Sequence, residues 1–249
     1  MSRTPRLLAI TAVLALVAFG CSQEPPEEGL AADLGTLMEA EPDAPDLARV
    51  APEHSTILYA DELVTVSRLE LEPGETVPEH QANHRLLVAT GGPGQLEVSR
   101  PDTSAVEDFD RGEVRYVAPG QMSFDNTGEE PLELLSVTRT GVILPTFMEQ
   151  RVAEQSDEMA DTGEVLLSND HATVRRLELE PGTSVKLPPV PIRVVYPAGA
   201  SALEYQTAAG DAEEITTDRA DAYLRPGDDH TVVNRSDETA TVMVFEWLI

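Results

Sequence analysis

Histidine is scarce in this chain, with five copies in 249 residues, and three of them sit where a neutral imidazole could act as a ligand. His80 and His84 are four residues apart. On one extended strand an even spacing puts both side chains on the same face, so the pair could hold a divalent transition metal weakly. His230 stands alone after Gly227-Asp228-Asp229, where it could bind metal or simply bond the turn beside the two aspartates. His54 and His171 each precede an apolar run and read as hydrogen-bonded or exposed side chains. Arg85 follows His84, and Arg193 holds a comparable place later in the chain. An inward-facing guanidinium could grip a carboxylate or phosphate through its planar fork, while pairing with one of the many Glu and Asp is the plainer account.

The elements that must position these residues begin after a leader. Arg3 and Arg6 precede an uncharged apolar run from Leu7 to Phe19, the layout of a secretory signal and too short to span a bilayer comfortably. The run ends in Val17-Ala18-Phe19-Gly20-Cys21, which resembles the lipobox of bacterial lipoproteins. That resemblance implies cleavage before Cys21 and a lipid on its sulfur. Ser22, rather than Asp, then implies the outer membrane, facing the periplasm. Cys21 is the only cysteine, so no intramolecular disulfide can form and, once lipidated, no thiol remains for chemistry.

Charge narrows the partners. The chain has 17 Lys and Arg against 45 Asp and Glu, a formal net charge of −28. Such a surface repels nucleic acid and anionic lipid headgroups. Residues 21–50 are rich in Glu, Asp, Pro and Ala and cannot bury enough apolar surface to order themselves, so they read as a tether. Leu30, Leu34, Leu37 and Met38 fall at helical spacing inside it.

An internal repeat organises the rest. Arg68-Leu69-Glu70-Leu71-Glu72-Pro73-Gly74 recurs letter for letter from Arg176 to Gly182. Downstream, Arg85 meets Arg193, Gly91 meets Gly199 and Asn126 meets Asn234 in the same register, while Pro119-Gly120 meets Pro226-Gly227 one residue out of step. The halves therefore span 55–142 and 163–249, joined by a connector at 143–162 with a helical pattern between Pro145 and Met159. Within each half, short β-branched and aliphatic runs alternate with turn signals such as Gly91-Gly92-Pro93-Gly94 and Asn126-Thr127-Gly128, which favours a sandwich or barrel.

Pro-Gly closing a strand, a His six residues after that Gly, a second Gly, and a later Pro-Gly with Asn shortly after resemble the two signature motifs of the cupin superfamily. The resemblance covers most of each half. It implies an all-β chain of two tandem jelly-roll barrels, and in that family three His and a Glu inside the barrel bind a transition metal. Here Gly74 and His80 match the first motif, but Ala82 replaces its second His and no Glu follows. Ser123 stands at the His step of the second motif. In the second half Pro188 and Ile192 replace His80 and His84, while His230 and Asn234 match. The expectation is a bicupin lipoprotein of the cell envelope with eroded metal sites and no cofactor, binding a small ligand or serving as an interaction module. Its partners would be the membrane through Cys21, a small molecule, and an envelope protein or a second copy in a homodimer. The alternative is a metal-dependent oxygenase or isomerase using His80 and His84.

Overall fold

The computed structural model describes residues 47–61, 63–140, 163–187, 190, 192–199, 201–207, 212–217, 223–224 and 230–247. Cys21, most of the tether, the connector, Pro188, Asp228 and Asp229 lie outside the described residues.

The repeat folds as two all-β jelly-roll sandwiches, with strands numbered along the chain. In the first half, one antiparallel sheet orders β1 (Ser55–Ala60), β2 (Val64–Leu71), β9 (Leu132–Arg139), β4 (Arg85–Ala89) and β7 (Val114–Val117). The facing sheet orders β3 (Thr76–Ala82), β8 (Gly120–Asn126), β5 (Gly94–Arg100) and β6 (Thr103–Phe109). The second half repeats this plan. Its first sheet orders β10 (Glu164–Ser168), β11 (Ala172–Leu179), β18 (Ala240–Trp247), β13 (Ile192–Pro197) and β16 (Tyr223–Leu224). Its second orders β12 (Ser184–Leu187), β17 (His230–Asn234), β14 (Ser201–Thr207) and β15 (Ala212–Thr217).

Each barrel closes over its own core. Leu69, Leu87 and Leu134 from one sheet meet Val77, Leu96 and Phe124 from the other in the first half. A short helix, α1 (Leu47–Val50), adds Leu47 to that core, so the last four residues of the stretch read as a tether are helical. Leu177, Val195 and Val244 meet Leu187, Leu203 and Val232 in the second half. Burying one such side chain stabilises the fold by about 1.5–3 kcal/mol.

A third apolar cluster joins the two barrels. Strands β4 and β13 are buried at every position, because one face lines a barrel while the other packs into this seam. Val64, Val66, Leu86, Val88, Leu135 and Val137 come from the first half, and Ala172, Val174, Val194, Tyr196, Met243 and Phe245 from the second. These are matching positions of the repeat, each 108 residues from its counterpart.

The repeated Pro-Gly and Asn form one device. Gly74 and Gly182 take φ of 81° and 72°, a left-handed conformation that side chains with a Cβ rarely adopt. Their amides donate to the carbonyls of Asn126 and Asn234 at 2.8 and 2.9 Å. The Asn126 side chain donates to Leu71 O and Glu130 O at 2.8 and 3.0 Å, and Asn234 does the same to Leu179 O and Glu238 O at 2.7 and 2.8 Å. One amide group thus pins three chain segments at the same end of each barrel.

Candidate functional site

Inside the first barrel the apolar lining gives way to two polar rungs. Thr65, Thr138, Arg85 and Val117 pair across β2, β9, β4 and β7, and the next rung runs Ser67, Ser136, Leu87 and Arg115. Arg85 shares its inward face with Leu87 and Ala89, which belong to the barrel core, whereas Leu86 and Val88 belong to the seam. It is 1 % exposed. Its Nε donates to Thr138 Oγ1 at 3.1 Å, and its guanidinium carbon lies 5.5 Å from the Phe124 ring centroid. Ser67 Oγ is buried with no hydrogen-bond partner among the described residues, an unspent donor on the barrel wall.

His80 faces this polar end from β3, opposite Met122 on β8. Its Nδ1 donates to Pro78 O at 2.9 Å, which leaves the lone pair on Nε2, and Arg85 Nη1 lies 3.3 Å from that atom. Burial, and then the Arg85 charge, hold the imidazole below its ordinary pKa, so His80 is neutral and accepts from the guanidinium.

The metal implied by the cupin resemblance does not fit this donor set. The lone pair that would bind it faces a permanent cation, and no group of three or more His, Cys, Asp or Glu converges among the described residues. Nor do His80 and His84 share a face. β3 ends at Ala82 after a register shift between Val77 and His80, and the chain turns before β4 begins at Arg85. The even-spacing argument fails because the two residues are not on one strand.

His84 belongs to the seam instead. Its Nδ1 lies 2.5 Å from the Tyr116 hydroxyl, and its ring centroid is 4.8 Å from that of His171 in the second half. Tyr116 stacks on His171 at 5.2 Å. His171 itself is exposed, in keeping with its reading as a hydrogen-bonded or exposed side chain.

The second barrel solves the same positions differently. Arg193 is buried and both its Nε and Nη2 donate to Glu246 Oε1, at 3.1 and 2.7 Å. Glu246 is the cross-strand partner of Arg193 as Thr138 is of Arg85. Here the plainer account, pairing with a carboxylate, is the observed one. Arg175 stands where the first half has Ser67, and its Nε and Nη1 are buried without a hydrogen-bond partner among the described residues. Ile192 packs in the seam rather than inside the barrel, where Arg193 and Glu246 are buried instead. His230 is buried opposite Leu187, with the Tyr205 ring 6.4 Å away. Its counterpart in the first half is Met122, not Ser123. The one-residue discrepancy between the halves falls between Gly227 and β17, so the strands themselves keep the 108-residue register.

A cleft of 130 Å³ opens between the edge strands β6 and β7 of the first barrel. Leu87, Val98, Phe109 and Val117 line it, with Arg100 and Arg115 among its polar lining. Val117 is also the cross-strand partner of Arg85.

Solved structures with this arrangement are diverse. AerE from Microcystis aeruginosa superposes with a TM-score of 0.59 at 12% identity, over 78% of this chain and 92% of that one. Oxalate decarboxylase from Bacillus subtilis gives 0.54 at 15% identity, over 75% and 69%. The chain has the bicupin fold. Vicilin from Solanum lycopersicum, at 0.53 and 14% identity over 75% of each chain, shows the same architecture. No family model and no curated relative matches this sequence. Neighbours named as a decarboxylase and as a vicilin share one scaffold, so function rests on the residues inside the barrels.

Proposed function

We propose that this bicupin is an envelope-tethered binding protein that holds a small organic anion at the polar end of its first barrel and performs no metal-dependent catalysis there. The observation that carries the reading is the placement of Arg85 Nη1 at 3.3 Å from His80 Nε2. A guanidinium takes the place a metal would need, and it offers the planar fork that recognises carboxylates and phosphates. Ser67 Oγ, Ser136 and Thr138 supply neutral hydrogen-bonding groups beside it. The cleft beside Val117 suits a ligand of few atoms with an apolar body. The tether and Cys21 would keep the barrels at the membrane surface.

Thermal melts of the full chain against a panel of short carboxylates, dicarboxylates and inorganic phosphate test this reading. At a hundredfold excess over Kd a ligand stabilises the folded state by about 2.7 kcal/mol, a readily visible rise in midpoint. Arg85→Met should abolish the rise while Arg193→Met preserves it. A rise that persists in Arg85→Met, or one lost only in Arg193→Met, would move the ligand out of the first barrel.

A further inference from the structure

The seam between the barrels brings together two imidazoles that the sequence holds far apart. His84 ends the turn before β4, and His171 sits in the hairpin between β10 and β11, where Asn169 Oδ1 accepts from the backbone amides of His171 and Ala172 at 2.8 and 2.9 Å. Their ring centroids lie 4.8 Å apart with the planes inclined by 42°. Two imidazoles bound to one tetrahedral ion at about 2.0–2.1 Å from each nitrogen have centroids about 5 Å apart. The ring separation is therefore one that two imidazoles on a shared ion can have.

Tyr116 completes the arrangement. Its hydroxyl lies 2.5 Å from His84 Nδ1. In the tautomer with Nδ1–H donating to that oxygen, the Nε2 lone pair is left for a metal, and the ring is held in orientation by the group behind it. His171 is exposed, so the site is open to solvent and to water as the remaining ligands.

We infer that His84 and His171, with Tyr116 orienting His84, form a divalent transition-metal site that bridges the two barrels. Imidazole donors with open positions suit Cu²⁺, Ni²⁺ and Zn²⁺ over Mg²⁺ or Ca²⁺. Arg139 lies beside His84, its backbone amide donating to His84 O at 2.9 Å. The Arg139 charge opposes an incoming cation, so removing it should tighten binding. The excess of carboxylates over the whole surface acts the other way and draws cations in. This site is independent of the anion site, since it uses neither His80 nor Arg85.

The test titrates the full chain, purified in mild detergent, with Cu²⁺, Ni²⁺ and Zn²⁺ salts while following both bound metal and the melting midpoint. One equivalent should bind and raise the midpoint by tying the barrels together. His84→Ala and His171→Ala should each weaken binding by more than about tenfold and abolish the rise, and Tyr116→Phe should weaken it by about tenfold. Arg139→Gln should tighten it, and His80→Ala should leave it unchanged. Because His171 is exposed, its replacement keeps the fold, and its unaltered midpoint without metal serves as the control. Binding that survives in both single histidine variants would show adventitious capture by surface carboxylates and overturn the proposal. Loss in His80→Ala alone would return the metal to the barrel interior and overturn it equally.

Discussion

Glu246 stands in the second barrel where Thr138 stands in the first, each directly across the ladder from its barrel's arginine. One substitution separates an arginine neutralised by a carboxylate from one that bonds a hydroxyl and an imidazole.

That contrast should appear in stability. Glu246→Gln removes the carboxylate that pairs with Arg193, in a site where the two side chains are 9 % and 3 % exposed. The expected cost is about 3–5 kcal/mol. Thr138→Val removes one hydroxyl acceptor from Arg85 and should cost about 1–3 kcal/mol. Urea midpoints of the two variants check the order, and a larger loss in Thr138→Val would contradict it.

Acidification should weaken the first barrel through His80. Its folded pKa lies below the ordinary value because of burial and Arg85, so the unfolded chain binds more protons and stability rises with pH through this window. The contribution is present in full above the unfolded pKa of about 6.5 and is lost as pH falls towards the folded value. Melts between about pH 7 and about pH 5 should show a smaller fall for His80→Gln than for the parent.

Asn126 and Asn234 should matter as structural pins. Alanine at either position leaves two carbonyls without their donor, Leu71 O and Glu130 O in one barrel and Leu179 O and Glu238 O in the other. Each variant should lose about 2–3 kcal/mol. Equal losses in the two barrels, read from denaturant midpoints, would confirm that the repeated Asn serves the fold and not a ligand.

Membrane attachment should depend on one sulfur. Cys21→Ser should leave the precursor uncleaved or release the protein from the membrane fraction. A variant that fractionates and migrates like the parent would remove the lipid anchor from the functional reading.

The repeat and the jelly-roll strands were readable in the sequence because their cause is local. Gly74 and Gly182 are required by backbone conformation, and Leu203 and Tyr205 alternate with Glu204 and Gln206 because β14 has one buried face. The site was readable only in part. Arg85 and His80 stood out by type, but nothing local says that His80 Nε2 meets Arg85 rather than a metal. Glu246 could have been found by carrying the 108-residue offset from Thr138 to the end of the chain. The seam could not, since a strand such as Leu86-Leu87-Val88-Ala89 announces burial on both sides without naming what covers the second. The pairing of His84 with His171 is likewise a product of that packing and leaves no periodic trace.

The seam residues come from the same positions of the two halves, Leu86 with Val194 and Val137 with Phe245, so the joint is isologous, one patch meeting its own copy. Two separate identical barrels meeting this way would be obliged to carry the same residue on both sides of their axis. Covalent fusion lifts that obligation. Position 84 can be His while 192 is Ile, and 138 can be Thr while 246 is Glu, so a shape with twofold symmetry carries chemistry that has none.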